Sequence, residues 1–163
     1  MAKKQAPLPN RLARLATRLS RSTTVAVLRP ADHRRPLADV CWDVLDGQPG
    51  VTLAVSGPGD LAERLARHPS FTTAEADGWI TGTLLTDLAS AAGPPAGDPQ
   101  ADAVEQEVLA ALGPDARWQT NSTHPRASPS GRSWDVVTTA TFDLLVTARG
   151  PAYDLVLLRS QDD

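Results

Sequence analysis

The sequence has few of the residues that build disulfide-linked, zinc-binding or membrane-spanning proteins. Cys41 is the only cysteine among 163 residues, which excludes an internal disulfide and disfavours a zinc site made from cysteines. No apolar run reaches the roughly 18 residues needed to cross a bilayer, and no apolar block follows Lys3 and Lys4 to form a signal peptide. We therefore expect a soluble, cytoplasmic protein.

Aromatic residues and lysine are also scarce. Aromatic side chains make up 4% of the chain, whereas it holds 11 glycines and 14 prolines, so a core of Leu, Val and Ala with many turns is expected. Lysine occurs only at positions 3 and 4, against 14 arginines, a composition that we associate with a GC-rich bacterial genome. The length fits one domain, predicted over residues 10–163 after a flexible tail at residues 1–9.

Signatures of metal, nucleotide and phosphate binding are missing. The turn SGPGD at residues 56–60 lacks the spacing of both common glycine-rich phosphate motifs, and Asp60 puts a carboxylate where an anion would bind. His33, His68 and His124 show no helical pair spacing that would direct two imidazoles at one metal. We predict no metal site and no cofactor.

Candidate catalytic groups have simpler structural interpretations. Cys41 lies on the apolar side of a predicted helix and is interpreted as a buried thiol. Ser128 and Ser130 share a loop with His124 but have no nucleophile elbow. The carboxylates on the C-terminal strands are interpreted as solvent-exposed or strand-end groups; they are Asp135, Asp143 and Asp154. No catalytic residue is predicted.

The longest apolar stretch, residues 134–160, is rich in β-branched side chains and predicts two strands joined by a turn at residues 149–152. A four-residue loop there would place Asp143 near Leu158 and Asp154 near Thr147. Apolar residues on both faces of these strands indicate that they lie inside a layered domain.

The rest of the chain alternates between short helical and extended patterns. Strands are predicted at residues 23–28, 51–55 and 117–122, the first two as parallel neighbours, and the Asp77-Gly78 pair predicts a two-residue hairpin. Helices are predicted at residues 11–21 (capped by Asn10), 37–45, 60–67 (with a capping box), 87–91 and 102–112. The expected fold is therefore α+β, a mixed sheet with an antiparallel C-terminal hairpin covered by short helices. A Pro/Gly-rich surface loop is predicted at residues 93–100 and a mobile cationic loop at residues 123–133.

Charge is distributed unevenly along the chain. Residues 1–35 contain nine basic residues and one acid, so the remainder carries all other acids and a net charge of −11. The first predicted helix places leucines along one side and arginines about 110° away. Such a helix either binds an acidic partner or folds back onto its own acidic domain.

From these observations we predict a non-enzymatic protein-interaction or assembly subunit of a larger bacterial complex, with an acidic protein as its partner. The predicted partner-binding residues are Arg11, Arg14, Arg18, Arg21, Trp118, Arg126 and Arg132. A nucleic-acid-binding accessory protein is the alternative, because Trp118 and Trp134 flank the cationic loop, although a pI near 5.5 counts against it. A small enzyme with an unrecognised site is the second alternative.

Overall fold

The computed structural model describes residues 3–19, 22–90, 97–127 and 131–162. The helices are α1 (Leu8–Leu19), α2 (Leu37–Leu45), α3 (Pro58–Ala66), α4 (Trp79–Leu85) and α5 (Pro99–Leu112), with a 3₁₀ turn at Thr73–Glu75. The strands are β1 (Thr23–Pro30), β2 (Phe71–Thr72), β3 (Arg117–Thr120), β4 (Phe142–Arg149) and β5 (Tyr153–Gln161). None of the helices within these ranges is long and apolar enough to cross a bilayer.

The strands form one sheet in the order β1-β5-β4-β3-β2, and each neighbouring pair is antiparallel. The α+β class and the C-terminal hairpin are therefore confirmed. The predicted parallel neighbour of β1 is wrong, because residues 51–55 make only a single bridge, Leu53 to Thr138, outside the sheet. Residues 51–55 instead bond to the segment that leads into β4, through Ala54 N and Val137 O at 2.9 Å.

Helices cover the sheet on both faces, as the apolar strands predict. Alternate residues of a strand point to opposite faces, so Leu155 and Leu157 pack in one core beneath α1, α4 and α5. Val156 and Leu158 pack in a second core beneath α2 and α3. Burial on both faces explains why apolar residues follow one another without alternation at residues 144–146 of β4 and 155–158 of β5.

The hairpin is tighter than predicted and its register differs. Gly150 N donates to Tyr153 O at 2.9 Å, which leaves two residues in the loop instead of four. Asp154 consequently pairs with Arg149, and Asp143 pairs with Ser160. The first strand begins at Phe142, far after residue 134, because the preceding chain folds back to bond with the Asp143 carboxylate.

The predicted hairpin at Asp77-Gly78 is wrong. Gly78 has φ 81° and is the N-cap of α4, in which six of seven residues are buried. The Asp-Gly dipeptide favours a positive φ at its glycine. A positive φ occurs here at the N-cap of a helix and is equally compatible with a hairpin turn. Before it, the Thr72 and Glu75 side chains form a capping box that begins the 3₁₀ turn. The helical piece predicted from residue 87 is also absent over residues 87–90.

Helix boundaries differ mainly at the N-termini. α2 spans residues 37–45 as predicted. α1 begins at Leu8 instead of after Asn10, and α5 begins at Pro99, capped by Asp98, which shortens the predicted surface loop at 93–100. In α3 the predicted capping box is replaced by Asp60, whose carboxylate accepts from Ser56 N at 3.0 Å. Residues 91–96 of the surface-loop region lie outside the described residues.

Candidate functional site

Helix α1 buries its leucines in the core, so its arginines lie on the sides of the helix that face away from the sheet. Leu12 and Leu15 are 0% and 2% exposed and pack on the sheet residues Ala26 and Leu28. The arginines of the helix lie about a quarter turn or more from this stripe. Arg14 is exposed and forms no ion pair or side-chain hydrogen bond with another described residue. Arg21 lies outside the described residues.

Arg11 binds a carboxylate of α5. Its guanidinium forms a two-point contact with Glu107, with Nη1 to Oε1 at 2.8 Å and a second contact from Nη2 to Oε2. The hydrogen bond from Arg11 holds the pKa of Glu107 below its ordinary value. The Nε of Arg11 also donates to the carbonyl of Ala6 at 3.0 Å, which ties down the chain before the helix.

Arg18 binds the other end of α5. Its Nη2 lies 3.1 and 3.0 Å from the two carboxylate oxygens of Asp98. Asp98 also caps α5 by accepting from Ala101 N at 3.0 Å, and the pKa of its carboxyl is lowered first by that backbone bond and then by Arg18. Two arginines of the basic segment thus bind the chain's own acidic domain, one of the two outcomes that the charge distribution predicts.

The cationic loop contacts α4. Arg126 is exposed, and its Nη2 donates to Thr81 Oγ1 at 3.2 Å. The His124 ring meets Trp79 edge-on at 4.8 Å between ring centroids, and burial lowers the pKa of His124. Arg132 Nε donates to Ala127 O at 3.3 Å. Residues 128–130 of the loop, including both serines, lie outside the described residues.

Trp118 is not a surface residue, which corrects its assignment as a partner-binding side chain. It is 0% exposed, stacks on Phe71 with centroids 5.8 Å apart, and donates from Nε1 to Thr73 Oγ1 at 3.1 Å. Its position in β3 directs it to the face that α4 and α5 cover. Trp134 is half-buried against Phe142, so the predicted stacking platform of two tryptophans does not form.

Two of the C-terminal carboxylates are buried, contrary to the exposed interpretation. Asp143 is 3% exposed; its Oδ2 accepts from Val137 N at 2.9 Å and Thr138 N at 2.7 Å, and its Oδ1 from Asn121 Nδ2 at 2.6 Å. Burial raises the pKa of Asp143, and these hydrogen bonds oppose the rise. Asp154 is 0% exposed and binds Arg149. Both carboxylates hold loops to the sheet.

The third carboxylate, Asp135, binds the two residues that directly follow α3. Its Oδ1 lies 2.7 Å from Arg67 Nη1, and its Oδ2 lies 2.9 Å from His68 Nε2. The hydrogen bond from Arg67 is the main reason that the pKa of Asp135 is lowered. The sequence offers no signal for this cluster, because its members are far apart in the chain.

The cysteine and the histidines, which the sequence analysis considered as catalytic or metal-binding groups, lie apart from one another. Cys41 is fully buried with Sγ 3.0 Å from Thr147 Oγ1, and burial raises the pKa of its thiol to about 12. His33 contacts the carbonyl of Pro151 at 2.9 Å, so the three histidines occupy separate places. Over the ranges that the structure describes, no group of three His, Cys, Asp or Glu side chains could hold a metal ion.

A cleft of about 340 Å³ opens between the start of β1, the end of β5 and the segments at residues 50–52 and 138–140. Hydroxyl side chains dominate its lining: Ser22, Thr23, Thr52, Thr138, Thr139 and Ser160, with Asp162 as the one charged group among its lining residues. Thr138 is already bound to Asp143, at 3.0 Å from Oγ1 to Oδ2.

In comparisons with known proteins, no protein-family model, no curated protein and no solved structure matches the chain.

Proposed function

We propose that this protein is a protein-interaction or assembly subunit without chemistry of its own, and that it binds an acidic face of a partner protein through the arginines of α1. The observation that carries the proposal is the position of Arg14. It is exposed and unpaired among the described residues, and it lies between Arg11 and Arg18 on the outer side of a helix whose leucines are docked. A solvent-facing guanidinium on a docked helix is suited to two-point binding of a partner carboxylate.

The ion pairs of Arg11 and Arg18 are compatible with this role. Glu107 and Asp98 are 45% and 21% exposed, so both pairs lie at the surface. Surface ion pairs contribute about 0–1 kcal/mol, and a partner carboxylate can therefore replace or join the α5 carboxylates at small cost. The proposal includes a cytoplasmic, bacterial setting, supported by the single cysteine and the arginine-rich composition.

The test is affinity capture of the tagged protein from extract of its native cell, at low and high salt, with and without nuclease. We expect a defined protein partner that survives nuclease, is lost with Arg14→Glu and is weakened at high salt, because salt screens exposed charges. Arg34→Glu is the matched control, since Arg34 is also exposed but lies outside α1. It should leave capture unchanged.

The outcomes separate the competing functions. Partners that are lost on nuclease treatment would favour the nucleic-acid-binding alternative, whose affinity should fall steeply with salt. A protein partner that Arg14→Glu and Arg34→Glu retain equally would remove α1 as the contact. Recovery of no partner under any condition would overturn the proposal.

A further inference from the structure

Two arginines lie opposite each other on neighbouring strands of the sheet. Arg117 of β3 is the direct partner of Arg149 of β4 in the antiparallel register, so their side chains leave the sheet on the same face. That face is the one that α2 covers, since Thr147, two residues before Arg149, lies against Cys41 of α2. Like charges directly opposite each other destabilise a sheet, and such a pair calls for a compensating negative charge.

The chain compensates only one of these two positive charges within its described residues. Arg149 binds the buried carboxylate of Asp154. Arg117 is exposed and forms no ion pair or side-chain hydrogen bond with another described residue. The carboxylate of Glu75 is bound to Thr72, the residue opposite Arg117 in β2, and it forms no ion pair with Arg117. One positive charge of the pair is therefore left without a partner.

A cleft of about 270 Å³ lies at this pair, and its lining residues are Leu37, Arg117, Gln119 and Arg149. No carboxylate is among the lining residues that the structure describes. Pockets for small molecules measure about 300–1,000 Å³, so this cleft fits a small ligand and is too small for a helix or a strand of another protein. Its charge and size together indicate a small anion.

The cleft offers hydrogen-bond donors from three side chains. A guanidinium carries five N–H donors, of which Arg149 uses Nε and Nη2 for Asp154 and one donor of Nη1 for the carbonyl of Arg35. The remaining donors of Arg149 and all those of Arg117 are available. The amide of Gln119, which also lies on this face of β3, forms no hydrogen bond with another described residue.

The number of donors favours a phosphate group over a carboxylate. One guanidinium is enough to bind both oxygens of a carboxylate in a two-point contact. A phosphate group has further oxygens, and these can accept from a second guanidinium and from an amide at the same time. Arginine also has the geometry that binds phosphate oxygens in pairs.

We propose that this cleft binds a phosphate group, either as inorganic phosphate or as the monoester of a small molecule. Arg117 forms the two-point contact, and Arg149 and Gln119 donate to the remaining oxygens. The bound anion neutralises the charge that the cross-strand pair leaves over. The cleft lies on the face of Leu37 and α2, whereas the leucines of α1 pack on the opposite face, so this inference does not depend on the proposed function.

The test is an NMR titration of the ¹⁵N-labelled full chain with inorganic phosphate and, separately, with phenyl phosphate, with sodium chloride at equal ionic strength as the reference. The side-chain N–H signals of Arg117, Arg149 and Gln119 should shift and saturate with phosphate but not with chloride. Tighter binding of phenyl phosphate would identify a monoester as the ligand, and equal binding would identify free phosphate. Acetate that binds as tightly as phosphate would overturn the assignment and favour an acidic side chain of a protein partner.

Variants locate the site. Arg117→Gln should raise the phosphate dissociation constant about tenfold or more, the loss expected when a charge-assisted hydrogen bond is removed. Lys4→Gln is the control, because it removes an exposed positive charge outside the cleft, and it should leave the constant unchanged. Circular dichroism checks that the variants fold. If Arg117→Gln does not fold, Gln119→Leu, which removes only the amide, decides instead by the same measurement.

Thermal unfolding gives a second readout that a purely structural arginine would not produce. Phosphate should raise the melting temperature of the wild type more than chloride does, because a ligand stabilises the folded state that binds it. Without phosphate, Arg117→Gln should melt no lower than the wild type, because it removes the repulsion across the strands. A wild type that phosphate neither shifts nor stabilises beyond chloride overturns the proposal, as does a folded Arg117→Gln that binds phosphate with unchanged affinity.

Discussion

Arg149 and Asp154 are direct partners in the β4–β5 register and form a two-point ion pair, with Nε to Oδ1 at 2.7 Å and Nη2 to Oδ2 at 2.9 Å. Asp154 is completely buried. The pair also holds the loop before α2, because Arg149 Nη1 donates to Arg35 O at 2.6 Å and Asp154 Oδ2 accepts from Asp32 N at 3.1 Å. One ion pair thus joins the C-terminal hairpin to the chain that follows β1.

Asp154→Asn should lower the free energy of unfolding by about 3 kcal/mol, because it leaves the Arg149 charge without its buried partner. Urea denaturation followed by circular dichroism measures the loss. Asp43→Asn is the control, since the Arg35–Asp43 pair is exposed at both ends (39% and 52%) and should contribute no more than about 1 kcal/mol. Equal losses in the two variants would contradict the structural role of Asp154.

Glu105 should make stability depend on pH. It is 2% exposed, accepts from Ile80 N at 3.3 Å, and has a pKa raised by burial. The folded protein therefore keeps this proton to higher pH than the unfolded chain, and the contribution of Glu105 to stability falls as pH rises through the window between the two pKa values. Relative to wild type, Glu105→Gln should gain stability from about pH 4.5 toward neutral pH.

Glu107→Gln is the control, because its effect on the pH dependence of stability should have the opposite sign. The pKa of Glu107 is lowered by its hydrogen bond from Arg11, so its contribution is present above the unfolded pKa and is lost as pH falls through the folded one. This variant should be less stable than wild type at neutral pH, with the difference vanishing in acid. Urea midpoints from pH 3 to 8 would show both trends, and parallel curves for the two variants would refute the assignment.

The thiol of Cys41 should be unreactive in the native protein. It is 0% exposed, and a pKa of about 12 leaves almost no thiolate at pH 8. Ellman's reagent should label no cysteine in native protein and one per chain in denaturant. Rapid labelling of the native protein would show that the thiol is accessible and would contradict the interpretation of Cys41 as a buried, unreactive group.

Gly150→Ala should destabilise the fold severely, by about 3 kcal/mol or more as an overpacking defect. A Cβ atom at this position would lie 2.1 Å from the carbonyl oxygen of Leu112, a backbone atom at the end of α5. Gly59→Ala is the matched control, because a Cβ at Gly59 meets no atom within 4 Å. Thermal unfolding compares the two, and an unchanged melting temperature for Gly150→Ala would contradict this close approach.

Elements with strong local signals were predictable from the sequence. The apolar side of α2 and the turn after it fix residues 37–45, and the hairpin is set by two apolar runs around one turn. The Asp77-Gly78 error has a local cause as well, since a positive φ serves both a hairpin turn and the start of a helix. Only the burial of α4 on both sides of its axis, a long-range property, decides between them.

The contacts of the candidate site were not predictable, because they depend on register and topology. Arg11 and Glu107 are 96 residues apart and Arg18 and Asp98 are 80 apart, so no local spacing relates them. A difference of two residues in the hairpin loop moves Asp154 from the neighbourhood of Thr147 to that of Arg149. The face on which Trp118 lies likewise follows from the pairing of β3 with β4, which a single sequence does not reveal.

The pairing of β1 with β5 gives the fold a high contact order. The two strands lie far apart in the sequence, yet their pairing is as extensive as that of β4 with β5. Closing such a long loop lowers the chain entropy before the strand contacts that offset this cost can form. Folding should therefore be slow for a chain of this size, in the millisecond-to-second range. Until β1 docks, β5 is an exposed edge with four consecutive apolar residues, 155–158, which makes any folding intermediate without β1 the species most prone to aggregate.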